Sequence, residues 1–142
     1  MKLGFFIDCF KIDQLGLDIL ELSKLMDITV FYQSYNRPPE NPRFAQFQSN
    51  QLWGFDGTVI TDSVERAKIL IECPSPKRKM LYVWNLEWLY NPGYFNKYSF
   101  VYQHDDLELV ARSTNHKTII TNCWKEPIAV IEKLNKEDLY EL

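Results

Sequence analysis

Five residues of this chain have side chains suited to ligand or acid–base chemistry and stand where strands are expected to end. Asp8 follows the apolar run Leu3-Gly4-Phe5-Phe6-Ile7. A carboxylate there can serve as a general base or ligand contact, or cap a helix beginning near Asp13. Asp62 follows Gly57-Thr58-Val59-Ile60-Thr61, and Glu65 three residues later gives it the capping-box spacing of a helix start. Asn85 follows Met80-Leu81-Tyr82-Val83-Trp84, and Tyr35 lies just past Ile28-Thr29-Val30-Phe31-Tyr32. His104 comes after Tyr98-Ser99-Phe100-Val101-Tyr102, which reads as a fifth strand; an imidazole there could act as a base. Asp8 and His104 are therefore the candidate catalytic groups, and Asp8, Tyr35, Asp62, Asn85 and His104 the candidate ligand-binding set. A rim of carboxylates, amides and one imidazole suits a polar, hydroxyl-rich ligand.

Other chemistries find less support. Cys9, Cys73 and Cys123 are an odd number with no CxxC spacing, as expected of reduced thiols in a cytoplasmic protein. Cys9 and Cys123 would share one sheet edge if their strands are neighbours, but no flanking cation activates either. His104 and His116 lie too far apart to suggest a structural zinc site, so no metal is expected. His116 sits near a helix end and is given no catalytic role. No GxGxxG, GxxxxGK[ST] or GxSxG pattern occurs, so no nucleotide cofactor is implied. The net charge of −3 argues against nucleic acid as a partner. No run of 18 apolar residues spans a membrane, and MKLGFFIDCFKIDQ does not read as a signal peptide. Lys77-Arg78-Lys79 reads as a solvated charge run.

These residues are positioned by alternating strands and helices. Leu15, Ile19, Leu22 and Met26 recur at helical spacing between the first two strands. Pro38, Pro39 and Pro42 make residues 34–52 a loop, with a short helix after Asn41 through Phe44 and Phe47. Val64, Ala67 and Ile71 form the stripe of a helix ending near Cys73, before Pro74. Beyond the fourth strand, a helical turn over 85–90 precedes Tyr98–Tyr102. A helix capped by Asp105 or Asp106 then carries Leu107, Val110 and Ala111. Thr118–Thr121 reads as a sixth strand. Glu126-Pro127 opens a last helix with Ile128, Ile131 and Leu134 inward, and Asn135 caps a final turn. The expected architecture is one α/β domain over 1–142, a three-layer doubly wound, mainly parallel sheet of about six strands. Tyr82, Trp84, Phe100 and Tyr102 alternate as core-facing strand residues do. Trp88, Tyr90, Tyr94 and Phe95, in the connecting segment, are the candidate subunit-interface residues.

Three segments resemble the amino-terminal, acceptor-side half of glycosyltransferases built from two Rossmann-type domains. They are DGTVITDSVERAKIL, LYVWNLEWLY, and the closing FVYQHDDLELVARSTNHKTIITNCWKEPIAVIEKL, with its Asp-Leu-x-Leu-Val-x-x-Ser pattern at Asp106, Leu107 and Ser113. In that family the nucleotide-sugar donor is held mainly by the carboxyl-terminal domain, and reaction occurs between the two. The resemblance implies an acceptor-side surface for a sugar or nucleotide-sugar ligand, with little to hold a diphosphate leaving group. The expected function is therefore a glycosyltransferase-like domain, non-catalytic alone, that binds a polar small molecule or a second-domain partner. Two alternatives stand beside it. One is an assembly module that dimerises through residues 84–98; the other is a small complete glycosyltransferase working as a homodimer.

Overall fold

The computed structural model describes residues 1–34, 39 and 42–142. Its centre is β1, Leu3–Ile7, five residues buried on both sides. A strand so apolar can lie only inside a sheet with both faces covered, the environment a parallel sheet provides. β2, Ile28–Tyr32, pairs on one side of it and β4, Thr58–Thr61, on the other. β3, Ala45–Gln48, extends the sheet past β2. β5, Arg78–Val83, β6, Leu107–Ala111, and β7, Ala129–Val130, extend it past β4. All pairs are parallel, and the order is β3-β2-β1-β4-β5-β6-β7. The fold is the expected α/β, Rossmann-like three-layer arrangement, with seven strands.

Alternate strand residues feed two layers. Leu3, Phe5, Ile7, Val30, Met80, Tyr82 and Val110 pack beneath α1, Gln14–Leu22, and α6, Lys136–Glu141. Leu81, Val83, Leu107, Leu109 and Ala111 face the opposite layer. That layer holds α2, Val64–Glu72, α3, Glu87–Tyr90, α4, Gly93–Tyr102, and α5, Thr114–Cys123. Phe6, Phe31 and Val59 complete this second face under a 3₁₀ helix at Ser49–Gly54. Each fully buried Phe contributes about 1.5–3 kcal/mol through area removed from water.

Four helices start on side-chain caps. Asp13 accepts from Gly16 N at 2.9 Å, Ser63 from Arg66 N at 3.3 Å, Ser113 from His116 N at 3.1 Å, and Asn135 from Asp138 N at 2.9 Å. Ser63, not Asp62, is therefore the cap of α2. The predicted last turn after Asn135 is present as α6.

The second half of the chain departs from the expected order. Tyr98–Tyr102 is the end of helix α4, not a strand; its buried residues Tyr98, Val101 and Tyr102 follow i, i+3, i+4, while Phe100 points to solvent. Leu107–Ala111 is a strand rather than a helix, because Leu107, Leu109 and Ala111 go to one layer and Val110 to the other. Thr118–Thr121 lies within α5, where the Ser113 cap and the burial of Ile120 outweigh β-branched propensity. The stretch after Glu126-Pro127 forms β7, whose flanking amides of Ile128 and Ile131 donate to Leu109 O and Ala111 O. Phe47, expected in a short helix, belongs to edge strand β3; Asn41 lies outside the described residues.

Candidate functional site

The order of strands reverses between β1 and β4. From β1 the chain crosses through α1 to β2; from β4 it crosses through α2 to β5 on the other face. Loops leaving the carboxyl ends of those two strands diverge and open a crevice, the general ligand position of doubly wound sheets. Asp8 and Asp62 both emerge there. They line one hollow of about 40 Å³ with Cys9, Lys11 and Arg66. Asp62 pairs with Arg66 at 2.9 Å, and Arg66 also donates to Gln33 Oε1 at 3.3 Å. Asp8 forms no ion pair among the described residues.

The adjoining loop closes tightly over the start of α1. A Cβ built on Gly16 would stand 1.9 Å from the carbonyl oxygen of Lys11. The chain's own carbonyl and the Asp13 carboxylate thus fill the first turn of α1, where a dinucleotide-binding fold seats its pyrophosphate. This is the structural counterpart of the missing glycine fingerprint.

The crevice widens beside β5 and β6. A hollow of about 70 Å³ between Asp13, Gln14, Asp18, Asp62, Tyr82 and Trp84 leads into a cleft of about 730 Å³. Gln14 and Trp84 belong to both, and Arg112, Ser113, Asn115, His116, Glu132 and Lys133 complete the larger one. The Arg112 guanidinium lies 4.7 Å from the centre of the Trp84 ring. Its Nε donates to His116 Nδ1 at 3.3 Å. Burial, and then the neighbouring Arg112, push the His116 imidazole below its ordinary pKa, which favours the neutral acceptor.

Two polar groups anchor the floor. Asp18 is 1% exposed; it accepts from Gln14 Nε2 at 2.7 Å and from Leu134 N at 3.3 Å. Tyr82 donates its hydroxyl to Ile131 O and to Glu132 O. Burial, reinforced by Asp18, pushes Tyr82 up to about 12, so it is a fixed donor at neutral pH. Together they hold the segment that carries Glu132 and Lys133.

Burial also raises the Asp18 carboxyl above its ordinary value, against the lowering effect of its hydrogen bonds. The sign follows from linkage: in that window the folded state binds more protons than the unfolded one, so Asp18 lowers stability as pH rises. Asp18→Asn retains an acceptor for Leu134 N without the charge. Its stability relative to wild type is expected to increase as pH rises from about 4, the ordinary carboxylate value. Urea denaturation at several pH values measures this, and a pH-independent difference would refute it.

The other expected site residues are dispersed. His104 precedes β6 instead of following a strand, because 98–102 is helical; it stands at the amino-terminal edge, away from Asp8 and Asp62. There His104 Nδ1 accepts from Asp106 N at 3.1 Å, and Lys125 Nζ donates to His104 O at 2.6 Å. Cys123 ends α5 at that same amino-terminal edge, whereas Cys9 follows β1, so the two thiols do not share an edge. Asn85 is exposed on the carboxyl-terminal rim next to Trp84. Tyr35 lies outside the described residues. Within the 77–79 run only Lys77 is exposed; Arg78 pairs with Glu108 and Lys79 donates to Ile71 O at 2.9 Å.

Among the expected interface residues, Trp88 is a core side chain, 4% exposed and packed edge-on to Tyr102 and Trp124. Tyr94 is half-buried and shares Glu65 as acceptor with Tyr98, each at 3.4 Å. Tyr90 and Phe95 remain on the surface.

Sequence reasoning missed Gln14, Asp18, Arg112 and Lys133, and set His116 aside. Arg112 and His116 would have been found from Leu-Glu-Leu-Val-Ala read as an alternating strand, followed by Ser113 as a helix cap. No known family, curated protein or solved structure matches this chain.

Proposed function

We propose that this domain binds a polar, hydroxyl-rich small molecule, a sugar or nucleotide-sugar, along the carboxyl-terminal rim of its sheet, as a glycosyltransferase-like half that does not turn over alone. The observation that carries the reading is the cleft of about 730 Å³ at the ends of β5 and β6, continuous with the β1/β4 crevice. Its lining suits such a ligand. Trp84 supplies an aromatic wall, and Gln14, Ser113, Asn115 and Glu132 supply hydrogen-bonding groups. With His104 on the opposite edge and Asp62 tied to Arg66, Asp8 is the remaining candidate for a base. The pattern Asp106-Leu107…Ser113, on which the family resemblance rests, runs through β6 to the cap of α5 and so ends in this cleft.

The test is ligand-observed NMR on the full chain with a panel of nucleotide sugars and free sugars. At least one member is expected to bind, and Trp84→Ala to weaken it about tenfold, in line with the worth of aromatic stacking on a ring. Donor hydrolysis by the single chain is expected to stay at background. Absence of any binding across the panel would sink the reading.

A further inference from the structure

Three arginines of the described chain are half-buried, and two of them face a carboxylate. Arg66 pairs with Asp62 at 2.9 Å; Arg78 grips both oxygens of Glu108 at 2.9 and 2.6 Å. Arg112 is the exception. Its contacts are the Trp84 ring and the His116 imidazole, and among the described residues no carboxylate lies within 4 Å of it. A guanidinium offers five N–H donors in a rigid fork, and an electron-rich ring and an imidazole use only part of that capacity. A partly desolvated cation without a counter-charge is costly, so this arrangement suits an anion that arrives from outside.

The surroundings agree. Lys133 lines the same cleft without an ion pair among the described residues, and Glu132 is the one carboxylate among the residues lining it. The adjoining hollow is the reverse: Asp13, Asp18 and Asp62 line it with no cationic side chain. The two compartments meet at Gln14 and Trp84. The uncompensated charge of this continuous groove is therefore positive and lies at the β6–α5 end, whereas at the β1–β4 end Asp62 is paired with Arg66 and Lys11 stands nearby.

We propose that the groove selects a phosphorylated sugar, its phosphate on Arg112 and Lys133 and its hydroxyls directed past Trp84 toward the carboxylates. This rests on the reading of the cleft as a sugar site and adds the class of ligand. Arg112 presents its fork to two phosphate oxygens, and Trp84 and His116 fix the orientation of that fork beforehand. The carboxylates at the far end keep lone pairs free to accept from hydroxyls.

Amide chemical-shift titrations of the full chain with glucose 6-phosphate, glucuronate, glucose and inorganic phosphate test this. Glucose 6-phosphate is expected to bind about tenfold more tightly than glucose, with shifts centred on residues 112–116 and 133. Inorganic phosphate is expected to compete with it, and the preference to collapse in Arg112→Gln. Lys133→Ala, an exposed substitution that spares the fold, is expected to reduce the preference by severalfold. Equal affinities for glucose and glucose 6-phosphate would overturn the proposal and leave the sugar reading standing. A preference for glucuronate alone would overturn it in favour of a carboxylate ligand. No shift with any of the four would remove both.

Discussion

Trp88→Ala is expected to destabilise the protein by about 3–5 kcal/mol, the usual cost of emptying a buried indole site. Trp88 stands at the junction of α3, α4 and the end of α5. Its ring meets Tyr102 at 4.9 Å and Trp124 at 5.5 Å, both edge-on, while Tyr102 and Trp124 stack on each other at 4.9 Å. Removing it takes a partner from two further rings and leaves a void in the core cluster that also holds Val101 and Leu86. One feature works the other way. The indole Nε1 of Trp88 is buried without an acceptor among the described residues, so the native side chain already carries the cost of an unpaired donor. Trp88→Phe, which keeps most of the ring and deletes that N–H, is accordingly expected to remain within about 1.5 kcal/mol of wild type. Urea titration of both variants measures the contrast. Equal midpoints for Trp88→Ala and wild type would show that this segment does not anchor the layer.

Gly16→Ala is expected to cost about 3 kcal/mol, although alanine normally favours a helix interior over glycine by about 1 kcal/mol. The reason is local. The added methyl would sit 1.9 Å from Lys11 O, and the obstacle is backbone, not a side chain that can rotate away. Relief requires moving the loop over residues 8–13 off the first turn of α1, with Asp8, Cys9 and the Asp13 cap displaced together. The variant should therefore lose thermal stability and, with it, affinity for the proposed ligand. Gly54→Ala provides the comparison, since a Cβ there meets nothing within 4 Å. A Gly16→Ala variant as stable as Gly54→Ala would contradict the described path of the loop.

The two halves of the chain differ in how plainly their sequence declares the fold. In β1, β2, β4 and β5 the β-branched and aromatic runs are short and are separated by Asp, Ser and Pro, so period and punctuation agree. The α/β class and the positions of Asp8, Asp62 and Asn85 on one rim follow from them. After Trp84 the signals conflict. Tyr98-Ser99-Phe100-Val101-Tyr102 has strand composition, but its burial repeats with helical period because α4 packs one face against β6 and α2. Leu107-Glu108-Leu109-Val110-Ala111 has helix composition, but it lies between β5 and β7, where both faces are covered. Tertiary context decides each case. In a parallel sheet such an exchange also moves a residue from one edge to the other. It took His104 off the rim and brought Arg112 and His116 onto it. Asp18 was hidden for a different reason: on a helical wheel it is one more polar residue of α1, and only the return of residues 131–134 beneath it makes it a buried anchor.

That return sets an order of assembly. The hydrogen bond from Leu134 N to Asp18 joins positions 116 residues apart, and the Tyr82 hydroxyl reaches forward to Ile131 in the same way. On a ribosome β1 and α1 would be made long before the residues that complete the groove. Glu132 and Lys133 follow β7, so the proposed ligand site is finished only after all seven strands of the sheet are in place. A nascent chain held short of β7 would expose the apolar side of α1 and the unpaired edge of β6 to chaperones.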